Sequence, residues 1–410
     1  MSEEKLDARS AEELAEKLPL AGLRVLDLGN MVAASYCSRM FADFGAEVIK
    51  VELPRGDPVR GWRTHHKGMS LFWALLGRNK RTITLNLRHP VGQEVARKLA
   101  AQCDIVVENF SPGTMEGWGL GYEAMSVGNP GLIMVRISGF GQTGPRKDMA
   151  GFASVAEAMA GLTYMTGSPD GPPSRSGVSL ADTLAGIYGA FGALVALQER
   201  QRTGLGQVVD TALTEGVLSI LDDVIPAYDK LGTVRERAGG GIPGIAPSNN
   251  YPTADGKWIV IGGNNSNVFR RLMRVLGRPE LADDPRYATD KSRSLHYLEL
   301  DALIAGWTRQ HSLAYLLECL QAAEVPAGPI NSVAEVVNEP QFVERESVQS
   351  VSVGENEMLL MPGVVPRLMR TPGTIAHVGR SIGADTDVIL ADLLGASPEA
   401  LKEWREVGII

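Results

Sequence analysis

The chain has 410 residues, of which 44% are hydrophobic and 21% are charged. This composition is typical of a globular protein of about two domains, at roughly 150 residues per domain, and it excludes disordered, coiled-coil and collagen-like chains. The formal net charge is -8, which argues against general binding of nucleic acid or of a membrane surface. An anionic ligand stays possible, because phosphates are bound by local donors rather than by net charge.

The cysteines and the N-terminal residues predict a cytoplasmic protein. Cys37, Cys103 and Cys319 lie far apart without a CxxC spacing, so we expect neither a zinc cluster nor a disulfide framework. The first 19 residues are charged, predict a polar helix and lack the apolar segment of a signal peptide. The longest apolar stretch, Ile187–Leu197, is too short to span a bilayer. Of the six histidines, two are adjacent, which directs them apart on a strand or a helix, and four are scattered, so we predict no metal site.

The first 140 or so residues alternate between strand and helix patterns, which predicts an open parallel sheet of the doubly wound α/β class. The predicted strands are Leu23–Gly29, Ala46–Glu52, Thr82–Leu87, Asp104–Phe110 and Leu132–Gly139, and the predicted helices are Met31–Phe44 and Val91–Ala101. From Gly151 onward the pattern is mostly helical. Asp182–Arg202 is apolar nearly all round, which predicts a buried helix.

The remaining elements are predicted with less regular patterns. Gly206–Leu213 is expected to lead into a helix through Asp229, and Trp258–Gly263 to be a strand. Val325–Val336 has the prolines and glycine of a linker. Further predicted helices are Phe152–Gly161, Asn265–Leu276, Tyr297–Thr308, Leu313–Ala322, Asp385–Leu394 and Pro398–Glu406, and the strand-like pieces near the C-terminus are MLLMPG and VPRLM.

Three segments combine residues that could carry chemistry. The first βα turn, Gly29–Ser35, lacks GxGxxG, so it is either a plain structural turn or a helix N-terminus that receives an anion. A basic cluster follows, which is either a phosphate site or a solvated rim with ion pairs. Its members are Arg55, Arg60, Arg63, His65, His66, Lys67, Arg78, Lys80, Arg81 and Arg88.

The most specific local feature is SGVSLADTLAG, Ser176–Gly186. Asp182 lies at the start of the long predicted helix, where an N-cap is the simpler interpretation. A carboxylate held there could also act as a nucleophile. The glycine-rich segment Gly239, Gly240 and Gly241 is either a flexible connection or a lid over a reactive intermediate.

The motifs in order resemble family III CoA-transferases, the CaiB/BaiF group. They are LAGLRVLDLGNMVAASYCSRMFADFGAEVIKVE, RNKRTITLNLRHPVGQEV, DIVVENFSPGTMEGWGLGYE, ISGFGQTGP, GVSLADTLAGIYGAFGALVAL, TGLGQVVDTAL and VPAGPINSVAEVVNEPQF. The chain is most similar to the branch that moves CoA from succinyl-CoA to another dicarboxylic acid. The resemblance covers Leu20 to the C-terminus.

The resemblance implies a Rossmann-like large α/β domain formed by both chain ends, residues 1–224 and 331–410, and a small α+β domain, residues 225–330. It also implies an interlocked dimer, as a homodimer or with a paralogous subunit. A coenzyme A thioester is expected as substrate, with no tightly bound cofactor.

The resemblance also assigns roles to residues. Asp182 matches the family's nucleophile, which would pass through an aspartyl anhydride and an aspartyl-CoA thioester. Gly239–Gly241 would form the lid. The CoA-binding positions implied by the motifs are Met31, Val32, Ala33, Leu85, Arg88 and Asn109, with Arg55 replacing a basic residue that family members often carry where this chain has Leu53.

Other functions stay open at this stage. An acyl-CoA racemase of the same fold would need an acid/base pair, typically with a histidine, and the region directly before Asp182 contains none. A catalytically silent subunit would not need Asp182. The acceptor could be benzylsuccinate, citramalate, malate, itaconate or glutarate. Its second carboxylate predicts an arginine partner, for which Arg237 is one candidate and a plain surface charge the alternative.

Overall fold

The computed structural model describes residues 18–354 and 356–410, and the predicted N-terminal polar helix lies outside them. The chain forms two compact units. The larger contains the described residues up to Ala160, together with Ser176–Leu221 and Val343–Ile410. The smaller contains Gly161–Arg175 and Asp222–Phe342.

The larger unit is built on a six-stranded parallel sheet with the order β5-β2-β1-β6-β7-β8. Its strands are β1 (Arg24–Asp27), β2 (Glu47–Glu52), β5 (Lys80–Thr84), β6 (Ile105–Glu108), β7 (Ile133–Ser138) and β8 (Val208–Ala212). Two hairpins accompany the sheet, β3 (His65–His66) with β4 (Met69–Ser70) and β12 (Val348–Gly354) with β13 (Glu357–Pro362). The strand order reverses between β1 and β6, and ligands of open α/β sheets bind at such a switch point, outside the carboxyl ends of the strands.

Helices pack on both faces of this sheet and bury most of its strands. Leu26 and Ile49 belong to a core shared with the C-terminal helices, while Val135 faces the long helix α8. The helices are α1 (Ala33–Ala42), α2 (Leu71–Leu76), α3 (Pro90–Ala100), α4 (Thr114–Gly117), α5 (Tyr122–Ser126), α6 (Ala153–Met159), α8 (Leu180–Thr203), α9 (Leu213–Leu218), α17 (Thr386–Leu394) and α18 (Pro398–Glu406).

The smaller unit has a three-stranded antiparallel sheet, β11-β10-β9, around its own core. Its strands are β9 (Ser248–Pro252), β10 (Trp258–Gly262) and β11 (Ala327–Pro329). Its helices are α7 (Leu162–Met165), α10 (Val224–Leu231), α11 (Ser266–Val275), α12 (Asp290–Leu295), α13 (Tyr297–Thr308), α14 (Leu313–Ala322) and α15 (Val333–Val336), and α16 (Pro340–Glu344) follows at its boundary.

Several expected elements differ from the structure. Gly206–Leu213 contains the edge strand β8, which pairs with β7, rather than only leading into a helix, and that helix is divided into α9 and α10. Val325–Val336 is not a linker, because β11 pairs with β10. The segment VPRLM forms no strand.

The compact units also divide the chain at different places from the predicted domain boundaries. Residues 161–175 and 331–342 lie in the smaller unit. The first of these segments is fixed there by backbone contacts, since the Gly239 N–H donates to the Gly167 carbonyl at 2.9 Å. Sequence patterning cannot reveal such a contact between distant segments.

The long helix α8 packs closely on α1 because of its glycines. A Cβ on Gly186 would come within 2.9 Å of the Ala33 carbonyl oxygen. The opposite face of α8 does not fit the predicted burial, since Phe191 is 63% exposed and Val195 53%. By length and composition alone α8 could cross a membrane, and 39% of its most apolar window is buried. Its contacts with the sheet are those of a core helix, and its outer apolar face needs another explanation.

Candidate active site

Asp182 lies in the first turn of α8, but it is not the helix cap. Ser179 occupies the N-cap position, and Asp182 is three residues further along. The Asp182 carboxylate forms no hydrogen bond with any residue that the structure describes. The capping interpretation is therefore wrong, and the carboxylate is left with both oxygens available for chemistry.

The surroundings of Asp182 favour its neutral form. Its pKa is raised from 3.8 to about 6, mainly by burial and also by the nearby Glu157 carboxylate, while Arg63 opposes both effects. The stabilisation that a helix N-terminus normally gives to a negative charge is thus outweighed. At neutral pH the group is ionised, and no residue in the described part of the chain neutralises its charge through a hydrogen bond or an ion pair.

Glu157 is the residue at this site that sequence reasoning missed. It lies on α6 and is 1% exposed. Its Oε2 accepts a hydrogen bond from the Ser176 hydroxyl at 3.1 Å, while Oε1 is buried and has no partner among residues 18–354 and 356–410. A buried carboxylate oxygen without a donor is costly. The available signal was a single acid in the otherwise apolar segment ASVAEAM.

Arg63 supplies the positive charge beside Asp182. Its Nη2 donates to the Ser179 hydroxyl at 3.0 Å, so it reaches the N-cap of α8. Its guanidinium lies 4.4 Å from the centroid of the Phe72 ring, a stacked position that holds the cation in place. A substrate carboxylate or phosphate near Asp182 would meet this cation.

The structure divides the predicted basic cluster into two groups. Most members have acidic partners within the larger unit: Arg60 pairs with Glu52, Lys67 with Glu357, Arg78 with Asp43, Lys80 with Asp27 and Arg81 with Glu47. Arg78 and Lys80 are fully buried, so they are not part of a solvated rim. Arg55, Arg63 and Arg88 form no ion pair with a described residue, and each is exposed. Only these three arginines of the cluster are therefore free to bind a phosphate.

The turn after β1 is held by hydrogen bonds to side chains at the sheet's switch point. Asn109 follows β6, and its amide accepts from the Asn30 N–H at 2.7 Å and donates to the Asn30 carbonyl at 2.8 Å. The Met31 N–H donates to Asp57 at 3.1 Å, with Met31 in the left-handed region at φ 60°. These hydrogen bonds hold the backbone of the turn in one conformation.

A network of buried charged side chains also holds this turn in place. Lys50 is fully buried, donates to the Gly29 carbonyl and lies 3.1 Å from Asp57 and 3.5 Å from Asp27. Burial alone would lower the pKa of Lys50, but the two carboxylates raise it above its usual value. The lysine therefore stays charged and ties the turn to the sheet.

The predicted CoA positions fall at one edge of the sheet, although not all present a side chain. Arg55 follows β2 and Arg88 follows β5, and both are exposed. Val32 and Ala33 are each 4% exposed, so only their backbone is available to a ligand. Leu85 is 1% exposed in the core, which leaves no side-chain surface for a nucleotide.

The predicted lid residues lie in the smaller unit. Gly239 has a left-handed φ of 67°, which favours glycine. A Cβ on Gly240 would come within 2.6 Å of the Asn249 and Asn250 amides, so a larger residue would require these side chains to move. Gly241 borders a cavity of the same unit. Closure of this segment over an intermediate stays a prediction.

Comparison with known proteins adds the family to this geometry. The family model described as CoA-transferase family III matches residues 20–386. The chain is 49% identical to a succinyl-CoA–D-citramalate CoA-transferase of Chloroflexus aurantiacus, covering 96% of this chain and 98% of that protein. It is 40% identical to the succinyl-CoA–L-malate CoA-transferase beta subunit of the same organism, again over 96% and 98%.

A solved structure gives the same result for the fold. A CaiB/BaiF family protein from Brucella suis superimposes with a TM-score of 0.82 at 34% identity, covering 92% of this chain and 99% of that one. The α/β fold with its large parallel sheet is therefore shared with a crystallographically determined relative.

Proposed function

The chain belongs to CoA-transferase family III, as the motif resemblance predicted, and we propose that it moves CoA from succinyl-CoA to a dicarboxylic acid. The observation that carries the proposal is Asp182, a half-buried carboxylate with a raised pKa and no hydrogen-bond partner among the described residues. Citramalate and malate are the first acceptors to test, because they are the acids in the names of the two relatives above. Glutarate, itaconate and benzylsuccinate follow.

The proposed reaction uses Asp182 as nucleophile. Its carboxylate attacks the succinyl thioester carbonyl, and CoA leaves as the thiolate, which gives a mixed aspartyl–succinyl anhydride. The thiolate then attacks the aspartyl carbonyl, which releases succinate and leaves an aspartyl-CoA thioester. The thioester bond energy is retained at each step.

The second half of the reaction repeats these steps in reverse order. One carboxylate of the acceptor attacks the aspartyl thioester carbonyl and expels the CoA thiolate. The thiolate attacks the acceptor's carbonyl in the new anhydride, which forms the product CoA ester and restores the Asp182 carboxylate. Water must be excluded throughout because it would hydrolyse the anhydride, and the Gly239–Gly241 segment is the proposed lid.

The electrostatics around Asp182 suit this role. Burial and Glu157 both disfavour its negative charge, and acylation removes that charge. The attack therefore relieves an unfavourable interaction at the moment the bond forms. Backbone N–H groups in the first turn of α8 are the proposed donors to the developing oxyanion.

CoA is proposed to bind at the carboxyl edge of the large sheet. The backbone of Met31–Ala33 would contact the nucleotide at the β1/β6 switch point, and Asn109 holds that turn in place. Arg55 and Arg88, which have no ion-pair partner among the described residues, would bind phosphates. Leu85 is buried in the core, so we do not carry its predicted contact into this proposal.

The active assembly is proposed to be an interlocked dimer, with a second copy or a paralogous subunit. The support is the apolar outer face of α8, where Tyr188, Phe191, Leu194 and Val195 are 36%, 63%, 43% and 53% exposed. Such a continuous apolar face is typical of an interface. Light scattering after size exclusion tests this, and Phe191→Glu should lower the yield of folded dimer, because interlocked subunits cannot separate into folded monomers. A cytoplasmic location stays a prediction from the sequence.

A mass-spectrometric assay tests the proposed reaction. The purified protein is incubated with succinyl-CoA and each acceptor acid, and the CoA esters are separated by mass. Asp182→Asn should abolish every new ester, while Asp392→Asn, an exposed acid on α17, should leave turnover unchanged. Formation of no new ester by the wild type with any acid would overturn the transferase assignment.

Trapping tests the covalent role of Asp182 separately. Hydroxylamine or borohydride should modify Asp182 only in the presence of succinyl-CoA, and peptide mapping identifies the site. Modification elsewhere, or turnover by Asp182→Asn, would remove Asp182 from its proposed role.

A second candidate is racemisation of an acyl-CoA on the same fold. The neighbouring carboxylates of Asp182 and Glu157 favour it, since two such groups could exchange an α-proton. Incubation in D2O distinguishes the two reactions. Deuterium at the α-carbon of an acyl-CoA without transfer of CoA would favour the racemase.

A further inference from the structure

Arg63 lies close to Asp182 within the same compact unit. Its Nη2 donates to the hydroxyl of Ser179 at 3.0 Å, and Ser179 is the N-cap residue of α8, one helical turn before Asp182. Side chains that are three or four positions apart on a helix have their Cβ atoms about 5–6 Å apart. The positive charge of Arg63 also acts to lower the pKa of Asp182, as expected at such a separation.

The Arg63 guanidinium is held in place, but most of its donors are unused. The ring of Phe72 lies 4.4 Å from it and the Ser179 hydroxyl accepts from Nη2. A guanidinium has five N–H donors, and no other donor of Arg63 bonds to a residue that the structure describes. Because the side chain is exposed, these donors are accessible to a ligand.

The backbone of Arg63 is also fixed in an uncommon conformation. Its φ is 59°, in the left-handed region that residues other than glycine rarely adopt. The ring nitrogens of His65 lie 3.1 Å from the Arg63 carbonyl oxygen and 3.0 Å from that of Arg60, so this ring holds the turn. Strained backbone of this kind is concentrated at functional sites, where the surrounding structure maintains it.

The acidic groups nearby leave the charge of Arg63 available. Glu157 is 1% exposed and accepts from a serine hydroxyl, which keeps it away from an incoming ligand. Glu357 pairs with Lys67 at 2.8 Å. Asp182 loses its own charge when it is acylated in the proposed reaction. A ligand anion beside acylated Asp182 would therefore meet a cation without an ion-pair partner among the described residues.

We infer that Arg63 binds the free carboxylate of the acyl group that is joined at Asp182, and so selects dicarboxylic over monocarboxylic acids. The planar guanidinium fork matches a carboxylate in two parallel hydrogen bonds. The inference rests on the proposed function and adds a residue that determines specificity. Arg237, the candidate from the sequence, belongs to the smaller unit and donates to the Tyr164 carbonyl at 3.0 Å, so we do not carry it into this inference.

A carboxylate suits Arg63 better than a phosphate of CoA does. In an acyl-CoA the phosphates are separated from the thioester by the whole pantetheine arm, whereas the free carboxylate of a short diacid is only a few bonds from the reacting carbonyl. A cation one helical turn from the nucleophile is therefore placed for the acid. Arg55 and Arg88 stay the proposed phosphate ligands.

The inference applies to both half-reactions. When one carboxylate of a diacid is joined to CoA or to Asp182, the other remains charged, in succinate as in the acceptor, and Arg63 would bind each in turn. A monocarboxylic acyl group would leave the donors of Arg63 unpaired. The loss of one charge-assisted contact corresponds to about 10- to 100-fold in a rate constant.

Kinetics with a matched pair of thioesters test this. Labelled succinyl-CoA and butyryl-CoA, in which methyl replaces the free carboxylate, are mixed with excess enzyme, and release of the labelled acid is followed. Arg63→Gln should lower the second-order rate constant about 10- to 100-fold for succinyl-CoA and leave that for butyryl-CoA unchanged. Arg63→Lys, which keeps the charge without the fork, and Ser179→Ala, which removes only the hydroxyl that orients the guanidinium, should lie between. Arg405→Gln, at an exposed arginine on α18, should match the wild type with both thioesters.

A binding measurement tests the site without turnover. Calorimetry with the Asp182→Asn protein should give a higher affinity for succinyl-CoA than for butyryl-CoA, and adding Arg63→Gln should remove this difference. Losses that are equal for the two thioesters, as a phosphate contact or a changed assembly would give, would overturn the inference while leaving the proposed function intact. Unchanged rates and affinities in Arg63→Gln would do the same. Absence of CoA transfer by the wild type to any acid would instead defeat the proposed function.

Discussion

Replacing Asp182 by asparagine should make the protein more stable at neutral pH while removing its activity. The pKa of Asp182 rises from 3.8 to about 6 in the folded chain, and each pH unit corresponds to about 1.4 kcal/mol. The ionised carboxylate is therefore disfavoured by as much as about 3 kcal/mol. Asparagine has nearly the same shape and no charge, and the carboxylate has no hydrogen bond with a described residue for it to lose.

The pH dependence of this gain follows from linkage. A carboxyl group whose folded pKa is raised binds its proton more tightly in the folded than in the unfolded chain, so the folded state loses stability as the pH rises from about 4 to about 6. Below pH 4 the group is protonated in both states and the cost disappears. The stability difference between Asp182→Asn and wild type should therefore be largest above pH 6 and shrink as the pH falls toward 4.

Urea and thermal unfolding at a series of pH values measure this difference, at a fixed protein concentration because the proposed dimer makes stability depend on it. Asp392→Asn, at an exposed site on α17, should show no such pH-dependent gain. An Asp182→Asn protein that is no more stable than wild type at pH 7.5, or a gain that is the same at all pH values, would refute the reasoning.

Three further predictions concern the same unit. The kcat/KM of the transfer should decrease as the pH falls below about 6, because Asp182 becomes protonated. In Glu157→Gln this decrease should occur at a lower pH, because Glu157 raises the pKa of Asp182. The same pH profile of kcat/KM in both proteins would contradict this. Lys50→Met should lower the free energy of unfolding by about 3–5 kcal/mol, since it leaves buried carboxylates without their partner, and an unchanged urea midpoint would contradict it. Gly186→Ala should lower the free energy of unfolding by about 1–3 kcal/mol, because the new Cβ would meet the Ala33 carbonyl at 2.9 Å. Gly306→Ala on α13, where a new Cβ would meet nothing within 4 Å, should leave the free energy of unfolding unchanged or raise it slightly. Equal effects at both glycines would contradict the packing argument.

Local sequence patterns predicted much of the fold. Strands buried on both faces and alternating with helices predicted the parallel sheet, because such strands are continuous apolar runs that sequence displays directly. The edge strand β8 was missed since Val208 and Asp210 are exposed, so its pattern lacks that signal. β11 was missed because Pro326, Gly328 and Pro329 resemble a linker, and only the fold shows that this segment pairs with β10.

The candidate site was also predicted only in part from local sequence. Asp182 was found because its motif is local, whereas Glu157 was not, since its importance depends on a neighbour 25 positions away in the chain. The basic cluster was visible in the sequence, but which arginines are free depended on acids that the fold brings beside the others.

Composition and motif order by themselves determined that this is an acidic α/β protein with an Asp182-centred transferase motif. Tertiary structure decided what the ionisable groups can do. Burial raises the pKa of Asp182, and ion pairs engage most of the basic cluster. Burial, distance and pairing between residues far apart in the chain set the strength of electrostatic interactions, and these quantities exist only once the chain has folded.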